Sequence, residues 1–476
     1  MVFHGLRNYD AHIIISELVK FVDNPSDIRV IPNTTEKYTA IYTKEFCFID
    51  TAQHLVGSLA ELVKDLKDKG TQHFTNLIDE FPDEKIRENL FKKGLYCYDY
   101  VDSFEKFEEP IPSRSHFKNT LTNTTPSEEE YEDLLETCRL LNITTIGQLH
   151  DHYVKLDVVQ LADVLSAYRS MAMSEYKLDP LHYGTAPAFS YDAMLRMTRA
   201  KPELLQKPDM YLFMERGIRG GMSVISHRHA TANNEFLSDY DDTKSQTSIF
   251  YTDCSNLYGY AMSQPLPYSK FMWLTNEELQ NIDVLSYNAD GDDGMILEVD
   301  LHYPQHLHDK HKDYPLAPEQ LTVEKKMLSP HAKDFLTLNN LSFAKQDRLA
   351  PNLYDKENYI VHIKNLQLYL SLGLVLTKVH RGIKFHQRAW LKPYIDLNTE
   401  KRRQATSKQE QNFFKLLVNA IFGKMMENTR WVLFKLVCYT IFSKFFLALS
   451  LFILRILNFL KLAMSYEHFI FEKMNI

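Results

Sequence analysis

With 476 residues the chain is too long for one compact core, and roughly two to four domains are expected. An apolar share of 45% and a charged share of 24% exclude a disordered or collagen-like chain. The formal charge of -8 speaks against a uniformly basic surface, yet residues 397–462 hold eleven Lys/Arg against three Glu, which suits a polyanionic partner. The five cysteines (Cys47, Cys97, Cys138, Cys254, Cys438) are odd in number, scattered and without a CxxC pair. Reduced thiols are therefore expected, not a disulfide framework or zinc ribbon. The opening "MVFHGLRNYD" lacks the apolar stretch of a secretory leader, so an intracellular setting, nuclear or cytoplasmic, is expected.

In chain order, "YTAIYTKEFCFID" (38–50) reads as two strands about a turn, and "LVGSLAELVKDL" (55–66) as an amphipathic helix. Thr125-Pro126-Ser127 starts a helix with glutamates in its first turn, where the macrodipole favours them. "HDHYVKLDVVQLADVLSAYRSM" predicts a strong helix whose apolar stripe is Val154, Val158, Leu161, Ala162 and Leu165. The Gly-rich turn "ERGIRGGMSVISHR" (215–228) leads through a polar loop to a predicted strand in which Ile249, Tyr251 and Asp253 share one face. Residues 287–350 mix a strand, "GMILEVDLHY", with Pro- and His-containing loops, and from about Ile395 to Arg430 the reading is helical. The segment 431–464 is very apolar, but Lys435, Lys444, Arg455 and Lys461 interrupt it. Its longest uncharged run, Phe445 to Leu454, falls well short of the roughly 20 residues of a spanning helix. Membrane association is therefore not expected, and a buried helix or sequence foreign to the fold is.

Three groups of residues carry chemistry. Asp253 ends its predicted strand as a bare carboxylate. An isolated Asp there is usually just solvated, but the alternative is a ligand for a hard cation such as Mg²⁺, which takes one or two carboxylates plus phosphate oxygens. In "FFKLLVNAIFGKMMENTR", Phe413, Leu416, Leu417, Ala420 and Ile421 form an apolar stripe, while Lys415, Asn419 and Gly423 recur every four residues on another face. A lysine, an amide and a glycine so placed suit a phosphate and a flat base, although a solvated lysine is the ordinary case. Arg402 and Arg403 add a second cationic patch. Tyr153 and Asp157, four apart, put a phenol and a carboxylate on one helical face.

These residues resemble motifs of family B DNA polymerases. "DCSNLY" is similar to the first palm motif and "KLLVNAIFG" to the fingers motif, and the spacer of about 160 residues between them resembles the protein-primed subgroup. "GIRGG" (217–221) is similar to the element joining exonuclease and polymerase domains, with Ile218 where tyrosine is usual. Tyr153 and Asp157 match the YxxxD motif of the 3′–5′ exonuclease, and "FHGLRNYDAHII" resembles its second motif, which contains Asp10. Whole phrases such as "PYIDLNTEKRRQA" resemble polymerases of self-synthesising DNA transposons and related viruses. The resemblance covers about residues 3–430.

The resemblance implies an α/β fold: a ribonuclease-H-like exonuclease domain, then a partial mixed α+β palm and helical fingers. The implied divisions are 1–175 exonuclease, 176–245 connecting segment, 246–300 palm, 301–394 protein-primed-type insertion with the palm remainder, 395–430 fingers, and 431–476 outside the family. It implies Mg²⁺ held by Asp253 in one site and by Asp10 and Asp157 in the other, with Tyr153 orienting water. Phosphate oxygens would fall to Lys415 and Arg402 or Arg403, the sugar to Tyr258, and the nascent base pair to Asn419 and Gly423. Arg219, Gly220 and Gly221 would meet DNA. The implied partners are template-primer DNA, deoxynucleoside triphosphates and a terminal priming protein.

Departures accompany the match. No YxDTD motif follows, because the last Asp is Asp396. No DxE precedes Asp10, a basic KxY element is missing, Gly5 stands where asparagine is usual, and Ala420 replaces the fingers serine. Each two-metal site is thus expected to be incomplete, as in a family member shortened at both ends. Every lost increment of about 1.4 kcal/mol in transition-state stabilisation is a factor of ten in rate. A weak or inactive polymerase with a vestigial exonuclease is expected. The alternative is a non-catalytic nucleic-acid-binding remnant of a mobile element.

Overall fold

The computed structural model describes residues 1–427, apart from positions 9, 35, 36 and 228. The apolar segment 431–464 and Cys438 lie outside them. Two compact units are present, one of residues 1–197 with the chain from Asp396 onward, the other of Thr198–Ile395.

In the first unit, β1 (Val2–Phe3), β2 (Arg29–Pro32), β3 (Tyr38–Tyr42) and β4 (Cys47–Asp50) form a sheet in the order β1-β4-β3-β2. β1 runs parallel to β4, and the other pairs are antiparallel. The expected two strands of 38–50 are β3 and β4. Helices begin where the sequence caps them. Ser58 and Glu61 close a capping box on Leu59–Lys69, as do Ser127 and Glu130 on Glu128–Leu140, and Thr145 and Gln148 on the 31-residue helix Ile146–Tyr176.

The long helix corrects one expectation. Val154 and Val158 are exposed, the latter by 62%, while Tyr153, Leu156, Gln160, Asp163 and Val164 are buried. Two polar residues lie in the core because they serve backbone groups there. Gln160 donates to the carbonyls of Leu90 and Lys92, both at 2.8 Å. Asp163 accepts from the N–H groups of Asn76 (2.8 Å) and Leu77 (3.0 Å), satisfying donors at the start of helix Thr75–Glu80.

The last described helix, Lys408–Met425, starts at the Ser407 cap and buries Phe413, Phe414, Leu417, Val418, Ala420 and Ile421. The Phe413 ring meets Tyr168 of the long helix edge-on at 5.4 Å, and Ser190 Oγ donates to the Leu417 carbonyl at 2.8 Å. Asn398, in helix Lys392–Gln404, accepts from the Tyr176 hydroxyl at 2.6 Å.

The second unit contains β5 (Leu266–Trp273), β6 (Asp293–His302), β7 (Glu319–Val323), β8 (Gln346–Ala350), β9 (Lys356–His362) and β10 (Val375–Arg388). An antiparallel sheet runs β5-β10-β6-β9, and β7 and β8 pair as a separate two-stranded arm. Strand alternation gives the sheet two apolar faces. Leu297, Val299, Leu301 and Val361 pack with Ile363 and Leu366 of helix Ile363–Ser371. Ile360, Ile383 and Phe385 pack with Met210 and Phe213 of helix Pro208–Gly217. On that second side the buried Glu298 bonds Arg216 and Arg381, the latter at 2.5 Å.

The strand expected to end at Asp253 is not formed. Residues 248–254 have no regular structure and are exposed, Tyr251 by 97%. A strand exists only where a neighbour takes its N–H and C=O groups, and no described strand does so here. Among the described residues no helix is long and apolar enough to cross a membrane.

Candidate active sites

The best-defined cluster lies on the long helix. Tyr153 and Asp157, one turn apart, are met by the loop carrying Lys93 and Tyr98. That loop runs flush against the helix at Gly94, where a Cβ would stand 3.4 Å from both Tyr153 and Leu156. Lys93 Nζ lies 2.6 Å from Asp157 Oδ2 and 4.8 Å from the Tyr153 ring centre. The Tyr98 and Tyr153 hydroxyls share a hydrogen bond of 2.5 Å, and Tyr98 remains exposed. Burial first, then the bond to Tyr98 and the charge of Asp157, push the Tyr153 phenol above its ordinary range. A cavity of about 70 Å³ opens beside it, with Lys93, Asp133, Leu149, His152 and Tyr153 in its wall.

Among the described residues Asp157 Oδ1 is buried without a hydrogen-bond partner. Such an orphan acceptor fits an electropositive ligand. Asp10 is the first residue of helix Asp10–Leu18, and among the described residues its side chain makes no hydrogen bond or ion pair. These free carboxylate oxygens fit Mg²⁺ bound jointly with phosphate oxygens. They do not form a preassembled cage, because among the described residues no group of three His, Cys, Asp or Glu could hold a metal. Lys93 and Tyr98 escaped the sequence reading. Their signal is the lysine followed by alternating tyrosines in "KKGLYCYDY", which gains meaning only beside Tyr153.

In the second unit Asp253 is exposed and unpaired among the described residues. Asn256, at φ 60°, turns the chain into helix Leu257–Met262. The half-exposed Tyr258 that follows has its hydroxyl 3.5 Å from where a Gly221 Cβ would be, so the Gly-rich element and the "DCSNLY" turn are neighbours. Gly220 faces open space. Arg219 does not: its guanidinium lies 3.9 Å from the Tyr359 ring centre and donates to the carbonyls of Ile360 (2.7 Å) and Gly217 (3.2 Å). Gly217 is required by close approach, since a Cβ would come within 2.7 Å of Ile360.

Helix Lys408–Met425 presents Lys415, Asn419 and Gly423 on one exposed face, opposite the buried stripe. Among the described residues Gly423 has nothing within 4 Å of its Cβ position. Arg402 is exposed, and Arg403 pairs with Glu400 at 2.6 Å.

Among solved structures the chain is similar to Phi29 DNA polymerase in an orthorhombic crystal form (TM-score 0.44, 15% identity, 90% of this chain and 59% of that one). It is also similar to Phi29 DNA polymerase complexed with primer-template DNA and incoming nucleotide substrates (TM-score 0.44, 14% identity, 89% and 58%). The chain thus spans about 59% of the length of the first of these. No curated protein matches it. The family model described as DNA polymerase type B, organellar and viral, matches residues 1–430 and takes in every candidate residue above, and the chain belongs to that family.

Proposed function

We propose that the chain is the exonuclease-to-fingers portion of a protein-primed, DNA-directed DNA polymerase, a nucleotidyltransferase that extends a primer 3′-hydroxyl on a DNA template. The observation that carries this reading is the Lys415–Asn419–Gly423 face, held open on a helix whose other side is locked in the core, in a chain that belongs to the family from residue 1 to 430. Phosphate oxygens of the triphosphate go to Lys415 and to Arg402 or Arg403. Tyr258 packs beneath the sugar and rejects a 2′-hydroxyl, and Asn419 with Gly423 bounds the nascent base pair. With Arg219 committed to backbone carbonyls, DNA contact at the Gly-rich element falls to the backbone N–H groups of Gly220 and Gly221.

Asp253 would hold Mg²⁺ for nucleotidyl transfer, and Asp10 and Asp157 for 3′–5′ excision. Bound there, the ion supplies charge neutralisation on phosphate oxygens and acidifies the attacking hydroxyl or water. Tyr153 donates a hydrogen bond that orients the water in excision, and Lys93 holds Asp157 in place. The domain divisions follow the family, with the exonuclease ribonuclease-H-like, the segment 301–394 the insertion that meets a priming protein, and 395–430 the fingers.

A second reading, a non-catalytic DNA-binding remnant, is favoured by the lack of converging metal ligands among the described residues. Primer extension and excision with Mg²⁺, with duplex binding at two salt concentrations, separate the two. Extension lost in Asp253→Asn supports the polymerase, and salt-sensitive binding without turnover supports the remnant. Absence of both overturns the nucleic-acid assignment.

A further inference from the structure

We infer that Asp50 is a positioning residue for Asp10. The inference rests on the reading of Asp10 as a cation ligand. Asp50 closes β4 and is 1% exposed. Its Oδ1 accepts from Gly5 N at 2.8 Å and Ala52 N at 3.0 Å, and its Oδ2 accepts from Arg7 N at 3.0 Å. Among the described residues no lysine, arginine or histidine forms an ion pair with it. The carboxylate is therefore spent on backbone N–H groups, two of which belong to the turn joining β1 to the helix that Asp10 opens.

The turn is also anchored by the buried side chain of Leu6, packed with Ala11, Ile41 and Phe48, and by the His4 ring, which bonds Thr51 Oγ1 (2.8 Å) and the Gly57 carbonyl (3.0 Å), but these side-chain contacts leave the Gly5 and Arg7 amides to Asp50. Gly5 sits at φ +109°, and the turn's own backbone bonds are Asn8 N to Gly5 O and Ala11 N to Leu6 O, both 3.0 Å. The neighbouring Thr51 hydroxyl donates to the Phe3 carbonyl at 2.9 Å, so Asp50 and Thr51, where β4 ends, hold the turn at its entry and at two points along it. Asp10 follows Arg7 by three residues. A ligand oxygen must be held within about 0.5 Å of its working place, and partners behind a ligand typically account for 10–100-fold in metal affinity. Asp50 is the partner that does this through the backbone.

Asparagine at position 50 keeps the size but replaces one acceptor oxygen with an NH₂ group that confronts an N–H donor. The test is Mn²⁺ titration of the full chain by water-proton relaxation, in an Asp253→Asn background so that the first unit is read. Hydrogen exchange at the Gly5 and Arg7 amides accompanies it. Asp50→Asn is expected to weaken Mn²⁺ about tenfold and to speed exchange at both amides. Ser127→Ala, which removes a helix cap elsewhere in the unit, is expected to lower stability and leave Mn²⁺ affinity alone. Should Asp50→Asn not fold, Asp50→Ser, whose hydroxyl accepts from one amide, takes its place. Affinity unchanged in the Asp50 variant but lowered in Asp10→Asn overturns the positioning role and leaves the reading of Asp10 intact. Affinity unchanged in Asp10→Asn, or no Mn²⁺ bound by the parent, overturns that reading and the inference with it.

Discussion

Acidification to pH 5 should destabilise the first unit through His54. The imidazole is 4% exposed, with Nε2–H donating to the Tyr183 carbonyl at 2.9 Å and Nδ1 accepting from the Tyr168 hydroxyl at 3.2 Å. Burial holds its pKa at about 4, outweighing the upward pull of the Tyr183 carbonyl and the Asp50 charge. Above pH 6.5 the ring is neutral folded or unfolded and contributes nothing to pH dependence. Between 6.5 and 4 the unfolded chain binds the proton and the folded one does not, so stability falls as pH drops, and below 4 the loss is complete. At pH 5 the difference is about 2 kcal/mol, a factor of about thirty in the unfolding constant. His152, in the same unit and also held at about 4 by burial and then the Lys155 charge, adds a second contribution of the same sign. Hydrogen exchange of the long helix at pH 7.5 and 5.0, corrected for intrinsic rates, measures the loss. His54→Gln, which can still donate to Tyr183 and accept from Tyr168 but does not titrate, should remove about 2 kcal/mol of it. An acid loss of the same size in wild type and His54→Gln would refute the reasoning.

Gly217→Ala places a methyl 2.7 Å from Ile360 and should cost about 1–3 kcal/mol as overpacking, read as a lower urea midpoint for the second unit; an unshifted midpoint contradicts the packing described. Glu298→Gln leaves Arg216 and Arg381 without their carboxylate. Because both arginines reach solvent, the cost should lie near 2–3 kcal/mol, below the full penalty for breaking a buried pair, and a thermal melt unchanged within error would show the pair to be idle. Lys415→Ala combined with Arg402→Ala should weaken duplex DNA binding about equally for all sequences and flatten the log-log salt slope by about 2. A full slope with weakened binding would mean that neither cation meets phosphate.

Local signals were legible. The start at Ser127 and the two strands of 38–50 were read correctly because each depends on residues within a few positions, whereas the helices expected from Leu55 and His150 begin at Leu59 and Ile146, behind capping boxes at Ser58 and Thr145 that the apolar pattern does not reveal. What failed depends on distant chain. The buried face of the long helix is decided by Gln160 and Asp163, whose partners lie 68 to 87 residues earlier, so a hydropathy stripe led to Val154 and Val158 instead. The strand before Asp253 had the right composition and alternation, but strand formation needs a neighbour that no local window can supply.

The same limit governs the site residues. Motif spacing identifies residue types that could do chemistry, but their partners decide which are free to do it. Arg219 reads as a DNA contact and Lys415 as a cation for phosphate oxygens. Arg219 is held by two carbonyls and an aromatic ring, while Lys415 stands on an exposed face. Conversely, Lys93 belongs to no quoted motif and yet makes the shortest contact to Asp157. Tyr153 shows what packing adds: its ring is buried in the core and its hydroxyl is bonded to Tyr98, which together fix its direction. A phenol left in water would satisfy the YxxxD spacing equally well but would point nowhere in particular. The part of the site that spacing could not supply is therefore the enclosure that turns a suitable side chain into an oriented one.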